Sequence, residues 1–197
     1  MNNKYQVLSH QFLSPGTRIK QQQNLAGKRI TLTENALAVL TDFRLTRPFS
    51  ISSTASIEQI NTRMIACGVR LLFVTEGDSL LQGLVTFNDL FGEKPVRYIQ
   101  QHGGSREEIL AQDIMTALTD LEAMQYEDIL KARVGDIVET MKSTGRQHLL
   151  VKDRLEDGGE AITGLFSSTQ IENLLGMKIE LSPRANTFAD IERALTE

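Results

Sequence analysis

Apolar residues recur at helical spacing in two separate stretches of the chain. In the first, Ile57, Ile60, Met64 and Cys67 fall on one face, the rhythm of an amphipathic helix laid on a core. Ser56 followed by Gln59 is a capping box that starts this helix, and Gly68 stops it. Residues 71–74 (LLFV) are apolar without alternation, which predicts a strand covered on both faces. A turn at Glu76, Gly77 and Asp78 leads to a second strand over 81–85. Thr86 then opens a short helix that ends near Gly92.

The same order returns downstream. Val134, Ile137, Val138 and Met141 line a helix that stops at Gly145, a strand follows over 148–151, and a turn over 157–160 leads to a strand over 161–166. Ser167 opens the last helix of the pattern. Gly68 and Gly145, like Val74 and Val151, are 77 residues apart, whereas Gly83 and Gly164, like Thr86 and Ser167, are 81 apart. The difference falls in the strand–strand turn, where length changes cost little. Leu45-Thr46 is matched to Met115-Thr116, 70 residues on, which places seven extra residues of the second copy within 117–133. The chain is an internal duplication.

Composition narrows the partners. The net charge is −4 over 197 residues, and the densest basic feature is the pair Lys28-Arg29. Nucleic-acid binding needs a phosphate-neutralising surface, so this balance argues against it. No apolar run approaches the roughly 20 residues of a membrane span, and the N-terminus lacks the apolar stretch of a signal peptide; a soluble, cytoplasmic protein is expected. Cys67, the single cysteine, reads as a buried free thiol. No metal-ligand spacing, nucleophile elbow or Walker-type phosphate loop occurs, which argues against an enzyme.

The residues 83–89, GLVTFND, resemble the glycine–apolar–apolar–Thr/Ser–x–x–Asp signature of CBS domains, and 113–116, DIMT, is similar to the opening of such a repeat. The likeness covers roughly 43–92 and 111–176, about 60% of the chain. It implies an α/β fold of two β-α-β-β-α repeats packed as a pseudo-symmetric Bateman module. On this reading, 1–42 is an N-terminal arm, 93–110 a connector, and 177–197 a tail whose short helix starts at Thr187 with Phe188, Ile191 and Leu195 on one face. The resemblance further implies an adenosyl ligand (AMP, ADP, ATP or S-adenosylmethionine) in clefts between the repeats, no required cofactor, and a homodimer.

The chemistry of the first repeat suits that ligand. A ribose offers two adjacent hydroxyl donors, and an ionised carboxylate such as Asp89 accepts from both; such charge-assisted bonds are worth about 1.5–3 kcal/mol each when shielded. Thr86 presents a hydroxyl and backbone N–H groups at a helix start, suited to phosphate, and Gly83 lets backbone come close to a ligand. The resemblance places the cationic partners at the start of the middle strand, where Arg70 stands in one copy and His148, after Gln147, in the other. Composite pockets then pair Thr86 and Asp89 with His148, and Ser167 with Arg70; Thr116 of the DIMT opening completes the set. Thr86-x-x-Asp89 is equally a capping box that needs no ligand. Arg70 also reads as a solvated strand-edge charge, and His148 as a half-buried histidine. In the second copy Gln170 replaces the carboxylate and Ser167 the threonine. Ser-x-x-Gln keeps the capping box, so one competent and one degenerate pocket are expected. The functional expectation is a non-catalytic sensor that signals to an unknown protein target; the alternative is a ligand-free interaction scaffold on the same fold.

Overall fold

The computed structural model describes residues 30–77 and 80–181. The expected helix from Thr187 lies outside them, as does Asp78 of the first strand–strand turn. Helix α1 (Ile57–Cys67) begins on the expected capping box. Its Gln59 N–H donates to Ser56 Oγ at 3.3 Å, and the Ser56 N–H donates to Gln59 Oε1 at 2.9 Å. It ends at Gly68, whose φ of 65° is left-handed and therefore cheap only for glycine. Helix α6 (Val134–Thr144) closes in the same way on Gly145, with φ 63°. The apolar stripes Ile57, Ile60, Met64 and Val134, Ile137, Val138, Met141 are buried, whereas the Cys67 thiol is only half-buried.

Each helix crosses between two parallel strands, α1 between β2 (Ser50–Ser52) and β3 (Leu71–Glu76), and α6 between β6 (Ala123–Gln125) and β7 (His148–Arg154). Antiparallel β4 (Leu80–Thr86) and β8 (Glu160–Ser167) follow, then helices α2 (Phe87–Phe91) and α7 (Ser168–Leu175). Two further strands of two residues each exchange sheets: β1 (Thr41–Asp42) joins β8 of the second repeat, and β5 (Thr116–Ala117) joins β4 of the first. The sheets therefore run β2-β3-β4-β5 and β1-β8-β7-β6.

This register corrects the expected alignment of the openings. Thr41 faces Leu165 and Thr116 faces Leu84, so Leu40-Thr41, not Leu45-Thr46, occupies the place of Met115-Thr116. Leu45 is 84% exposed. The offset of 75 residues also relates Ala36 to Ala111 and Val39 to Ile114, all buried. The seven extra residues reduce to four between β6 and α6, which carry helix α5 (Tyr126–Ile129), and the preceding loop is two shorter.

The segments before these strands are exchanged too. Within the expected N-terminal arm, Ala36–Val39 form a 3-10 turn that docks on the second repeat: Ala36 N–H donates to Ala132 O at 2.9 Å and Gly135 N–H to Leu32 O at 2.8 Å. Reciprocally, Ile57 N–H donates to Ile109 O at 3.2 Å and Ala111 N–H to Ala55 O at 2.8 Å. Ala36 and Val39 complete the core of Ile137, Met141 and Phe166, while Ile109, Ala111 and Ile114 (the last on α4, Ala111–Ile114) complete that of Ile60, Leu72 and Leu90. A third cluster joins the sheets face to face: Leu71, Phe73 and Leu84 from one pack with Leu150 from the other, and Phe43 meets Phe73 edge-on at 5.6 Å between centroids.

Besides the short α4 and α5, a ten-residue helix has no counterpart in the expected pattern: α3 (Glu93–His102), in the connector. Pro95 falls in its first turn, where the N–H that proline lacks would have no intrahelical partner.

Candidate functional site

Strand β4 delivers Thr86 to the start of α2, and the cap fixes Asp89 there. Thr86 donates to Asp89 Oδ2 from both its backbone N–H and its hydroxyl, each at 2.7 Å, and the Asp89 N–H returns to Thr86 Oγ1 at 3.4 Å. The second carboxylate oxygen is held by a residue from the next helix. Gly92 breaks the chain between α2 and α3, and Lys94, in the first turn of α3, brings its ammonium to 2.7 Å from Asp89 Oδ1. The same Nζ donates to Ile114 O at 2.9 Å and to Thr116 Oγ1 at 3.4 Å. Asp89 is 12% exposed and Lys94 40%. The structure thus gathers Thr86, Asp89, Lys94 and Thr116 where the exchanged strand β5 meets β4. The sequence reading named three of the four. Lys94 was missed because the spacing Asp89–Lys94 is not a helical pair; only the break at Gly92 brings the two together.

Gly83 is explained without a ligand. A Cβ there would run into the Thr116 carbonyl oxygen, so its absence lets β5 lie against β4. Gly164 repeats the device, with Leu40 Cδ1 at 2.7 Å and Thr41 O at 3.2 Å from a Cβ. The two middle-strand residues join the signatures of their own repeats. Arg70 is exposed, its guanidinium 5.6 Å from the ring centroid of Phe87, next to Thr86. His148 lies opposite Ser167 in the β7–β8 ladder. Burial holds its imidazole down to about 4, so at neutral pH His148 is uncharged and offers a hydrogen bond where the sequence reading expected a cation.

The second copy departs further than expected. Helix α7 starts at Ser168, but the Ser167 side chain makes no cap hydrogen bond. Gln170 Oε1 instead accepts from Thr41 Oγ1 at 2.9 Å; the amide has swung to the exchanged strand, and the capping box expected there is not formed. Thr41 is the counterpart of Thr116, so one exchanged threonine touches Gln170 directly and the other reaches Asp89 through Lys94. At the 81-residue offset Leu175 stands in place of Lys94 and packs against the second core. One exchange site carries a carboxylate and an ammonium. The other carries an amide and an alkyl group.

The two β-α-β-β-α units exchange their opening strands, and the Thr86–Asp89 signature sits at the exchange. No family model matches the sequence, and no curated protein matches it. Among solved structures, an uncharacterized conserved protein from Pyrococcus horikoshii aligns at 17% identity and TM-score 0.52, over 78% of this chain and 100% of that one. The CBS domain protein NE2398 aligns at 17% identity and TM-score 0.51, over 72% and 97%. CBSX2 in complex with AMP aligns at 16% identity and TM-score 0.47, over 72% and 94%. The chain has the tandem CBS-domain fold.

Proposed function

We propose that the chain is a non-catalytic regulatory module that binds an adenosyl ligand, AMP, ADP, ATP or S-adenosylmethionine, at the first repeat and signals to a partner protein. The observation that carries this reading is the placement of Asp89. A carboxylate at 12% exposure, held at the junction of two repeats by a cap on one oxygen and an ammonium on the other, is pre-aimed to accept a ribose diol. Ligand acts on such a module only through its different affinity for two arrangements of the repeats or of a homodimer. The exchanged strand β5, which carries Thr116, is the element through which occupancy is felt in the other repeat. The module works in the cytoplasm, where these ligands are abundant.

A second reading is favoured by the same contacts: both Asp89 oxygens already have partners within the chain, as in a scaffold that kept the fold without a ligand. Isothermal calorimetry with the four ligands separates the two. The sensor reading predicts saturable binding of at least one, weakened about tenfold or more by Asp89→Asn, since one charged acceptor is lost. No heat from any of them at millimolar concentration overturns it in favour of the scaffold.

A further inference from the structure

We infer that Lys94 is a charge-selecting residue of the first cleft, so that the ligand it takes is an adenosyl phosphate and not a neutral or sulfonium-bearing one. This rests on the reading of that cleft as an adenosyl site. A diol that bonds Asp89 Oδ1 competes for its negative charge with the ammonium now 2.7 Å from it. Lys94 keeps two neutral acceptors, Ile114 O and Thr116 Oγ1, but then shares with the diol the one carboxylate that it pairs with among the described residues. A half-shielded cation whose counter-charge is shared gains from a second anion. An anion on the same ligand restores the balance: carboxylate to diol, ammonium to phosphate. Adenosine supplies the diol and no anion. S-adenosylmethionine carries a net positive charge, with a sulfonium where AMP carries its phosphate and its one carboxylate further out beside an ammonium.

The second cleft is the internal control. Gln170 replaces the acid and Leu175 the base, so the two charges are absent together, as expected of groups that serve one another. Of the other cations near this signature, Arg70 is exposed beside Phe87, and Arg106 donates to Leu90 O at 2.7 Å beside Phe91.

Calorimetry of the full chain with AMP, adenosine and S-adenosylmethionine, on the wild type, Lys94→Met and Lys94→Arg, tests this. The expected pattern is AMP at least about tenfold tighter than either other ligand, the value of one charge-assisted contact. Lys94→Met should remove that preference by weakening AMP while adenosine binds as well or better, and Lys94→Arg should restore it. Adenosine or S-adenosylmethionine equal to AMP on the wild type, or an AMP preference that survives Lys94→Met, overturns the role of Lys94 while leaving the adenosyl site standing. Silence from all three ligands removes the site itself.

Discussion

His148 is the residue whose environment departs most from its sequence context. It lies beside Ser167 on β7, and burial lowers its pKa from 6.5 to about 4. The unfolded chain therefore binds a proton between these values that the folded chain refuses, so the neutral imidazole's contribution is intact above pH 6.5 and is lost as pH falls towards 4. At about 1.4 kcal/mol per unit, the loss amounts to roughly 3 kcal/mol. Urea unfolding of the wild type should weaken over this window, and His148→Gln should flatten the decline; parallel curves for the two proteins would rule out His148 as the cause. Asp89 makes the opposite case. Its role as a cap was legible in the spacing Thr86-x-x-Asp89, because a cap is local. Its pairing with Lys94 was not, because that contact depends on how α3 leaves Gly92.

At the scale of elements, what the sequence made legible and what it hid divide by range. Helices α1 and α6 and strands β3, β4, β7 and β8 are long enough for period and caps to define them, and their observed limits keep Ser56, Gly68 and Gly145 as boundaries. Strands β1 and β5 are two residues each, too short to carry a period, and they exist only because a distant strand offers unpaired backbone. Their signal was present as a shared pattern, ALAVLT at 36–41 against AQDIMT at 111–116. It was overlooked because Leu45-Thr46 offered a shorter match. The glycines facing these strands record the exchange. Gly83→Ala pushes a methyl into the Thr116 backbone, which cannot move without disturbing β5; Gly164→Ala meets chiefly the Leu40 side chain, which can turn away. We expect thermal or urea unfolding to show a loss of about 2–4 kcal/mol for the first and about 1–2 kcal/mol for the second. Equal losses, or a larger one at Gly164, would contradict the strand-exchange account of these positions.

For the whole molecule, the exchange makes the repeats interdependent. Ala36 and Val39 fill the second core from the front of the chain, and Ile109, Ala111 and Ile114 fill the first from the connector, so each repeat lacks part of its interior when alone. The third cluster, with Phe73 and Leu84 against Leu150, ties the sheets into one body. That coupling gives a ligand at one repeat a physical route to the other: β5 and Thr116 belong to the second repeat in sequence and to the first in space. Duplication fixed the architecture twice over, but the chemistry diverged, with Thr86, Asp89 and Lys94 at one exchange site and Ser167, Gln170 and Leu175 at the other.

A calorimetric titration of AMP into the full chain, read for stoichiometry, tests this asymmetry most directly. The account predicts one site per chain, lost or much weakened in Asp89→Asn and unchanged in Gln170→Ala. Two sites per chain, no site, or a single site that follows Gln170 and ignores Asp89 would contradict it.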